Sequence, residues 1–321
     1  MCRKDQKYYL LFDVGGTAVK LCAVKSGQPD IKTLKLEDRM DIFPAESNGS
    51  REEILNNFSA AAARKAKEEQ IEIERIGMAF PGPFDYEKGI SYMRGLNKYD
   101  AIYGCRIGVE VNKRLKTSCP FAFMHDAEAF ALGECRYGKA QNAKRAVFLC
   151  LGTGTGSAFS DSGILLKKRG DGVPDQGWIY DFPFRDARID DYLSARGLKR
   201  LAVREFGHCY EGKELYEMAC GAQGSENKRR AVRCFQEFGR DLAEAVKPFL
   251  EQFEPEIIVL GGQISAGFTF FGSELGDLCE KKHIKAEVTE NTSSSIMKGL
   301  YYHLKKDQKQ ESCNEENVQR L

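Results

Sequence analysis

The chain has 321 residues and almost no net charge, because 48 Lys and Arg residues are balanced by 47 Asp and Glu residues. Hydrophobic residues make up 42% of the chain and charged residues 30%, a composition typical of globular proteins with a sizeable core. At about 150 residues per domain, the length suggests two domains. The charge balance argues against a nucleic-acid-binding protein, which needs a basic face. No apolar run approaches the roughly 18 residues of a membrane-spanning helix.

Eleven cysteines are scattered along the chain, and no two are spaced as a Cys-x-Cys or Cys-x-x-Cys pair. Scattered thiols in an odd number favour a reduced protein over a disulfide framework or a zinc knuckle. The polar first seven residues lead directly into a strand-like run, without the apolar segment of a signal peptide. Both observations predict a cytoplasmic location.

Strand-like and helix-like segments alternate in the first part of the chain. Apolar residues at positions 54, 55, 58, 61 and 62 recur at helical spacing, whereas short apolar runs that end at Gly or Pro indicate buried strands. The predicted elements are a strand over 8–14, a hairpin partner over 21–24, a helix over 52–69, a strand over 76–80, a helix over 105–115 and a strand over 121–124.

The same alternation continues in the second part. One apolar stripe between Val232 and Phe253 predicts a long helix with one face against a core, and the polar residues from Lys305 onward predict a frayed end. The predicted elements are a helix over 127–137, a strand over 146–151, a hairpin partner over 159–166, helices over 190–206, 213–220 and 229–253, a strand over 257–260 and a helix start near residue 265.

Each half opens with a strand, a turn rich in Gly and Thr, and a returning strand. This weak internal repeat, together with the alternation of strands and helices, predicts a duplicated α/β fold. We predict an N-terminal lobe over residues 1–124, completed by a C-terminal helix near 290–305. A larger lobe over 125–289 and a polar tail over 306–321 account for the rest of the chain.

The turn after the first strand reads Asp13-Val14-Gly15-Gly16-Thr17-Ala18-Val19-Lys20. Glycines let backbone N–H groups approach a phosphate, and the Thr17 hydroxyl is a further donor. Asp13, at the end of the strand, is suited to hold Mg²⁺ through water, because Mg²⁺ keeps much of its hydration shell. Taken alone, this motif leaves open a plain hairpin turn with a surface carboxylate.

Two further glycine motifs follow buried strands. The run Gly152-Thr153-Gly154-Thr155-Gly156 follows the strand over 146–151, and Gly261-Gly262 follows the strand over 257–260. Neither is a dinucleotide fingerprint, and no Walker A sequence occurs in the chain. Each motif alone is compatible with a flexible turn.

In their order and spacing, the three motifs together resemble the ROK family of the sugar kinase, actin and Hsp70 superfamily. The first looks like the family's first phosphate motif, the second like its second phosphate motif, and Leu260-Gly261-Gly262 like its adenosine motif. The segment from Met124 to Glu134 is similar to the family's Asn-Asp-Ala-Asn-x-Ala-x-x-Gly-Glu run. The likeness covers roughly residues 8–300 and implies an actin-like (ribonuclease H-like) ATPase fold with two lobes around a central cleft.

The resemblance implies an ATP-dependent kinase that phosphorylates a hydroxyl of a hexose or hexose derivative. Asp126 would be the general base, within a site that otherwise needs Mg²⁺ and donors to spread the charge. Without that chemistry, the same Asp126 would be expected to cap a helix. The phosphate-binding residues that the resemblance implies are Asp13, Gly15, Gly16, Thr17, Lys20, Gly152, Thr153, Gly154, Thr155, Gly261 and Gly262.

Sugar contacts are also implied by the resemblance. Pro81-Gly82-Pro83 resembles the family's Pro-Gly turn, and Gly95-Leu96-Asn97 resembles its Asn-Leu loop, whose amide both donates and accepts. For any single residue of these loops, an ordinary turn is the alternative. The implied sugar-binding residues are Gly82, Asn97, His125, Asp126, Asp175 and Asp190.

Several of these positions depart from the family pattern. His125 stands where the family usually has Asn, and its imidazole is titratable. The Ala-Gly-Glu-x-Gly-His run is aligned with residues 173–178, so that Asp175 replaces Glu and Trp178 replaces a metal-binding His. Residues 179–189 contain no Cys, which predicts that the family's structural zinc site is absent. Asp190 would replace the Glu of a following Leu-Glu-x-Tyr run, and the identity of the sugar stays open.

Two other functions remain as alternatives. A non-catalytic sugar or nucleotide sensor of the same fold would account for the departures on the sugar side, although such a protein has no chemical reason to keep Asp126. The first phosphate motif begins at residue 13, so no upstream DNA-binding domain is expected. An ATPase of the actin or chaperone type would leave the sugar motifs without a role. We expect ATP, Mg²⁺ and a sugar as ligands, no zinc, no nucleic acid, no membrane and, by resemblance, a homodimer.

Overall fold

The computed structural model describes residues 6–168, 170–221 and 225–319, with side chains in the last helix described through residue 308. Contacts divide the chain into two compact units. The first unit comprises residues 1–137 and 293–321, and the second unit comprises residues 138–292. Within the described ranges, no helix is long and apolar enough to cross a membrane.

Strands and helices alternate along both units. The elements up to residue 137 are β1 Lys7–Val14, β2 Ala18–Lys25, β3 Asp41–Pro44, α1 Arg51–Glu69, β4 Glu72–Phe80, β5 Phe84–Asp85, β6 Ile90–Ser91, α2 Ile107–Leu115, β7 Phe121–His125 and α3 Asp126–Tyr137. Those that follow are β8 Arg145–Leu151, β9 Thr155–Asp161, β10 Ile164–Leu166, β11 Pro183–Phe184, β12 Ala187–Arg188, α4 Ile189–Tyr192, α5 Ala195–Phe206, α6 Gly212–Cys220, α7 Glu226–Phe253, β13 Ile257–Gly261, α8 Phe268–Lys281, β14 Lys285–Val288 and α9 Thr292–Gln319.

The first unit is built on a sheet with the strand order β3-β2-β1-β4-β7. β1, β4 and β7 run parallel, whereas β2 pairs antiparallel with both β1 and β3. Helix α1 buries Phe58 against the sheet. The centroid of its ring lies 6.4 Å from the ring centroid of Phe12 and 6.0 Å from that of Phe80. Because parallel strands end at the same edge of a sheet, the residues after β1, β4 and β7 are brought together there.

Helices α3 and α9 of the first unit pack so closely that the backbone of one contacts the backbone of the other. A Cβ added to Gly133 would lie 1.9 Å from the carbonyl oxygen of Ser295, and one added to Gly299 would lie 1.9 Å from that of Ala129. The two helices therefore belong to one unit, and the division falls after residue 137 and before residue 293. The boundary that we predicted at 124/125 precedes α3 and would place this helix in the second lobe, whereas the division by contacts lies after it; the boundary predicted near 290 lies close to the start of α9.

The second unit repeats this arrangement in a sheet with the order β10-β9-β8-β13-β14. β8, β13 and β14 are parallel, and β9 is antiparallel to both β8 and β10. The apolar stripe of α7 is buried in the core of this unit, with Phe235, Phe238, Leu242 and Val246 each at most 2% exposed. The predicted duplicated α/β fold is therefore confirmed.

Two predicted elements are interrupted. The strand predicted over 159–166 is divided between β9 and β10 by a turn at Ser162-Gly163, where φ is +52° and +74°. The helix predicted over 190–206 is divided into α4 and α5, because Ser194 is non-helical and its side chain accepts a hydrogen bond from the backbone nitrogen of Arg196. Both predictions of continuous elements were wrong, because the spacing of apolar residues does not reveal a single turn or cap within an element.

The last helix is longer than predicted. We expected a frayed end from Lys305, but the backbone of α9 is helical to Gln319. No Gly or Pro follows Gly299 in the chain, and Lys, Gln and Glu are good helix formers. Strands β3, β5, β6, β11, β12 and β14 were not predicted, because two to four residues each are too few to establish an alternating pattern.

Candidate active site

Three of the predicted sites lie at one edge of the sheet of the first unit. Asp13 lies in β1 opposite Ala79 of β4, and Phe80 lies opposite His125 of β7. Neighbouring strands are about 4.8 Å apart, so the first and third strands are about 10 Å apart. The sheet therefore places Asp13, the turn at Gly82 and Asp126 side by side at the carboxyl ends of these strands.

The glycine loop, residues 14–18, is tightly anchored. The backbone nitrogen of Gly15 donates to the carbonyl oxygen of Ala18 over 3.0 Å, and a Cβ at Gly15 would lie 2.8 Å from that same oxygen, which requires glycine there. The carbonyl oxygens of Gly15, Gly16 and Thr17 all accept hydrogen bonds from groups of the first unit. These three carbonyl oxygens are thus satisfied by protein donors, which holds the loop in one conformation.

The donors to these three carbonyl oxygens lie in two segments, residues 45–47 and Tyr99, which we did not link to the glycine loop from the sequence. They are the hydroxyl of Tyr99 to Gly15 at 2.8 Å, the hydroxyl of Ser47 to Gly16 at 2.6 Å, and the backbone nitrogen of Ala45 to Thr17 at 3.0 Å. The side chain of Thr17 is left exposed.

Asp13 forms a small polar cluster with Lys20 and Ser293. Asp13 and Lys20 are directly opposite in the β1–β2 register, and the Lys20 ammonium lies 3.4 Å from the Oδ2 atom of Asp13. The hydroxyl of Ser293 donates to the same Oδ2 over 2.6 Å and accepts a hydrogen bond from Lys20. Ser293 was missed from sequence because 280 residues separate it from Asp13; the run of hydroxyl residues that begins α9 was its only signal.

The donor set around Asp13 fits a hydrated cation rather than a fully protein-bound one. Among the described residues there is no group of three or more His, Cys, Asp or Glu side chains that could enclose a metal ion. A single carboxylate at a strand end suits Mg²⁺, which is often held through water and substrate phosphates. Asp13 is therefore the residue of the first unit that would hold Mg²⁺ in this way.

Asp126 is the first residue of α3, and its side chain is 38% exposed. Its Oδ1 atom accepts a hydrogen bond from the backbone nitrogen of Ala127 over 2.7 Å and lies 3.4 Å from the Nδ1 atom of His125. A carboxylate at a helix N-terminus is stabilised by the helix dipole. Asp126 thus combines a local structural contact with an accessible carboxylate.

The other sugar-side candidates of the first unit lie near this carboxylate or on an exposed loop. A Cβ at Gly82 would lie 3.4 Å from the Tyr86 hydroxyl and 3.8 Å from the His125 ring, so Gly82 and His125 are neighbours. Asn97 is exposed, with φ at +54°, in a loop over residues 95–103 that we call the Asn97 loop. The Asp100 carboxylate shapes this loop by accepting hydrogen bonds from the backbone nitrogens of residues 95 and 96.

The two glycine motifs of the second unit are adjacent. Gly261 at the end of β13 lies opposite Cys150 in β8. A Cβ at Gly262 would lie 2.2 Å from the carbonyl oxygen of Leu151, and φ at Gly262 is +89°, so only glycine fits there. The carbonyl oxygen of Gly152 accepts a hydrogen bond from the backbone nitrogen of residue 195 over 2.8 Å.

Side-chain exposure separates the residues of the second phosphate motif. Thr153 and Gly154 are exposed at the tip of the turn, whereas Thr155 is only 4% exposed. The backbone nitrogen of Thr155 donates to the Oδ1 atom of Asp190 over 2.6 Å. We therefore correct the expectation that Thr155 contacts phosphate directly, because its side chain lies in the core and its N–H group is already bonded.

Asp190 is tied to the same turn. Besides accepting from Thr155, its carboxylate is paired with Arg196 of α5. Asp190 therefore supports the glycine-rich turn from the side, a role that its sequence position did not indicate. Asp175, predicted as a second sugar contact, is exposed in a single 3-10 turn over Asp175–Gly177.

Comparison with known proteins identifies the family of this chain. The model of the ROK family matches residues 9–296, and the chain belongs to the ROK family. It is 29% identical over 280 residues to a glucokinase of Thermotoga maritima, with 81% of this chain and 83% of that protein covered. The resemblance that the sequence motifs indicated is thereby confirmed.

Solved structures share the fold at low sequence identity. A ROK family glucokinase from Streptomyces griseus, in complex with glucose and AMPPNP, aligns with a TM-score of 0.67 and 19% identity over 91% of this chain and 98% of that one. A ROK family transcriptional regulator aligns with a TM-score of 0.71 and 16% identity over 92% of this chain and 78% of that one. At these identities the likeness demonstrates the fold alone.

Proposed function

We propose that this ROK-family protein transfers the γ-phosphate of ATP to a hydroxyl group of a hexose or hexose derivative. One observation carries the proposal: the accessible Asp126 carboxylate and the anchored glycine loop with Asp13 lie at the same edge of one sheet. Phosphoryl transfer needs a positioned hydroxyl, donors around the phosphates and a cation, and little covalent chemistry from the protein. The similarity to a glucokinase supports the same reaction.

The phosphates would be bound by the glycine motifs. We assign to them the backbone N–H group of Gly16 and the hydroxyl of Thr17 in the first unit, and the backbone N–H group of Gly154 and the hydroxyl of Thr153 in the second unit. The N–H groups of Gly15 and Gly152 already donate to the carbonyl oxygens of Ala18 and Gly154, which corrects the expectation that these two glycines donate to phosphate. Asp13 would hold Mg²⁺ through water, and the cation would neutralise charge on the phosphate oxygens. Gly261-Gly262 would lie against the nucleoside, and Lys20, paired with Asp13, would keep that carboxylate oriented.

The sugar would be bound around Asp126. Its carboxylate would accept the proton of the attacking hydroxyl as that oxygen bonds to the γ-phosphorus and the bond to ADP breaks. His125, Gly82 and Asn97, all in the first unit, would contact other hydroxyls of the sugar. Because imidazole differs from an amide in reach and charge, His125 is the residue we expect to influence which sugar is accepted.

The direct test is ADP release by the purified protein with Mg-ATP across a panel of hexoses, amino sugars and β-glucosides. We expect one class of sugar to stimulate ADP release well above the sugar-free rate, because an ATPase without an acceptor lacks the positioned hydroxyl. If no sugar stimulates release while AMPPNP and sugar still raise the melting temperature, the protein is a sensor rather than a kinase. A transcriptional regulator shares the fold, and this observation favours a sensor as the second candidate function.

Replacing Asp190 separates a nucleotide role from a sugar role. In Asp190→Asn, the pairing with Arg196 and the acceptor for Thr155 are weakened. We expect KM for ATP to rise about fivefold to tenfold, which corresponds to about 1 to 1.4 kcal/mol, because the asparagine side chain still accepts a hydrogen bond and the contacts are weakened rather than lost. KM for the sugar should change less than about twofold. A rise confined to the KM for the sugar would instead assign Asp190 to the sugar, as the resemblance implied. Asp181→Asn, an exposed aspartate paired with Arg188, is the control.

A further inference from the structure

The Asn97 loop and the glycine loop are joined by hydrogen bonds within the first unit. The hydroxyl of Tyr99 donates to the carbonyl oxygen of Gly15 over 2.8 Å. The backbone nitrogen of Tyr99 donates to the carbonyl oxygen of Ser47 over 2.6 Å, and the Ser47 hydroxyl donates to the carbonyl oxygen of Gly16 over 2.6 Å. One tyrosine therefore reaches both glycines, one directly and one through Ser47.

Tyr99 is rigidly held. Its side chain is fully buried, and its ring lies 5.3 Å from the ring of Phe80 and 6.3 Å from that of Phe58. Burial raises the pKa of the Tyr99 phenol above its usual value, and the nearby Asp13 carboxylate raises it further. The phenol thus stays protonated across the working pH range and remains a hydrogen-bond donor to Gly15.

The tip of the Asn97 loop is exposed, unlike its base. Gly95, Leu96 and Asn97 are all exposed, whereas Tyr99, two residues after Asn97, is buried. Asn97 and Tyr99 both have positive φ, at +54° and +59°, so the short connection between them has little freedom to rearrange without moving both residues. The exposed tip is therefore joined to the buried tyrosine by a single constrained residue, Lys98.

We propose that Tyr99 is a positioning residue that couples sugar binding at the Asn97 loop to nucleotide binding at the glycine loop, so that each ligand tightens the binding of the other. This inference rests on the proposed function. A sugar bound at the Asn97 loop favours the position of Tyr99 in which its hydroxyl donates to Gly15, and this is the arrangement of the glycine loop that we expect to bind the nucleotide. Such coupling is reciprocal.

The experiment measures the Kd of AMPPNP with Mg²⁺ by calorimetry, in the absence and in the presence of saturating D-glucose and, separately, N-acetyl-D-glucosamine. For the wild-type protein we expect a bound sugar to lower this Kd about fivefold to tenfold. In Tyr99→Phe the ring stays in the core but the bond to Gly15 is lost. We expect the effect of sugar to fall below about twofold, while the affinity for sugar alone stays within about threefold.

A second variant, Ser47→Ala, tests the same coupling in case Tyr99→Phe fails to fold. Ser47→Ala removes the hydroxyl that reaches Gly16 and leaves the backbone contact between Ser47 and Tyr99 in place, so we expect it to reduce the coupling as well. The matched control is Tyr103→Phe, because Tyr103 is in the same loop but 50% exposed. We expect the wild-type coupling in this control.

The outcomes are distinguishable. If Tyr99→Phe weakens AMPPNP binding by the same factor with and without sugar, Tyr99 is only a structural support and the inference is overturned. If the wild-type protein binds both ligands with no effect of one on the other, the inference also fails while the proposed function stands. If the wild-type protein binds neither of these sugars nor any other of the panel of hexoses, amino sugars and β-glucosides, the proposed function itself fails, and the coupling with it.

Discussion

Asp126→Asn is expected to lower kcat about a thousandfold, because a positioned general base contributes about 10²- to 10⁴-fold. Asn is nearly isosteric with Asp and still hydrogen-bonds a hydroxyl, but it cannot accept the proton. We therefore expect KM for ATP and the affinity for sugar to change less than about threefold, since the lost interaction is made in the transition state. Steady-state ADP release, combined with calorimetric titration of the sugar, measures both quantities.

The control for this variant is Asp30→Asn, which removes a carboxylate from an exposed position of the same unit. We expect wild-type kinetics from it. If Asp126→Asn keeps more than about a tenth of the wild-type kcat, Asp126 is not the base. Its contact with the backbone of Ala127 would then be its main contribution, as a stabiliser of the start of α3.

Gly299→Ala is expected to destabilise the first unit by about 3–5 kcal/mol, the range of the most severe single substitutions. The added Cβ would lie 1.9 Å from the carbonyl oxygen of Ala129 and 3.0 Å from the backbone nitrogen of Gly133. Neither atom belongs to a flexible side chain, so helices α3 and α9 must move apart. Thermal unfolding followed by circular dichroism should show a Tm lower by about 10 °C.

A matched control for the helix effect of alanine exists in the second unit. Gly276 lies inside α8, and a Cβ there would meet no atom within 4 Å. Because alanine favours the helix, Gly276→Ala should stabilise by about 0.5–1 kcal/mol and raise Tm by about 2 °C. Equal shifts for the two variants would contradict the close approach of α3 and α9.

The amino-acid sequence by itself determined the class of fold and the positions of its chemistry along the chain. Glycine motifs directly after apolar runs predicted turns at strand ends, and their order indicated the ROK family, which the family match over residues 9–296 confirms. The helical stripe of α7 was visible for the same reason, since local periodicity reflects which side faces a core. The placement of Asp13, Asp126 and Gly262 at strand ends or next to them followed from such local patterns.

Only the tertiary structure decided how these residues are supported. The contacts of Ser293 with Asp13, of Tyr99 with Gly15 and of Asp190 with Thr155 join positions 35 to 280 residues apart, and a sequence pattern carries no information on such pairs. Burial decided the role of Thr155 in the same way. Strand pairing and close helix packing set these distances. That geometry, more than the identity of each residue, determines which side chain meets a ligand and which one supports it.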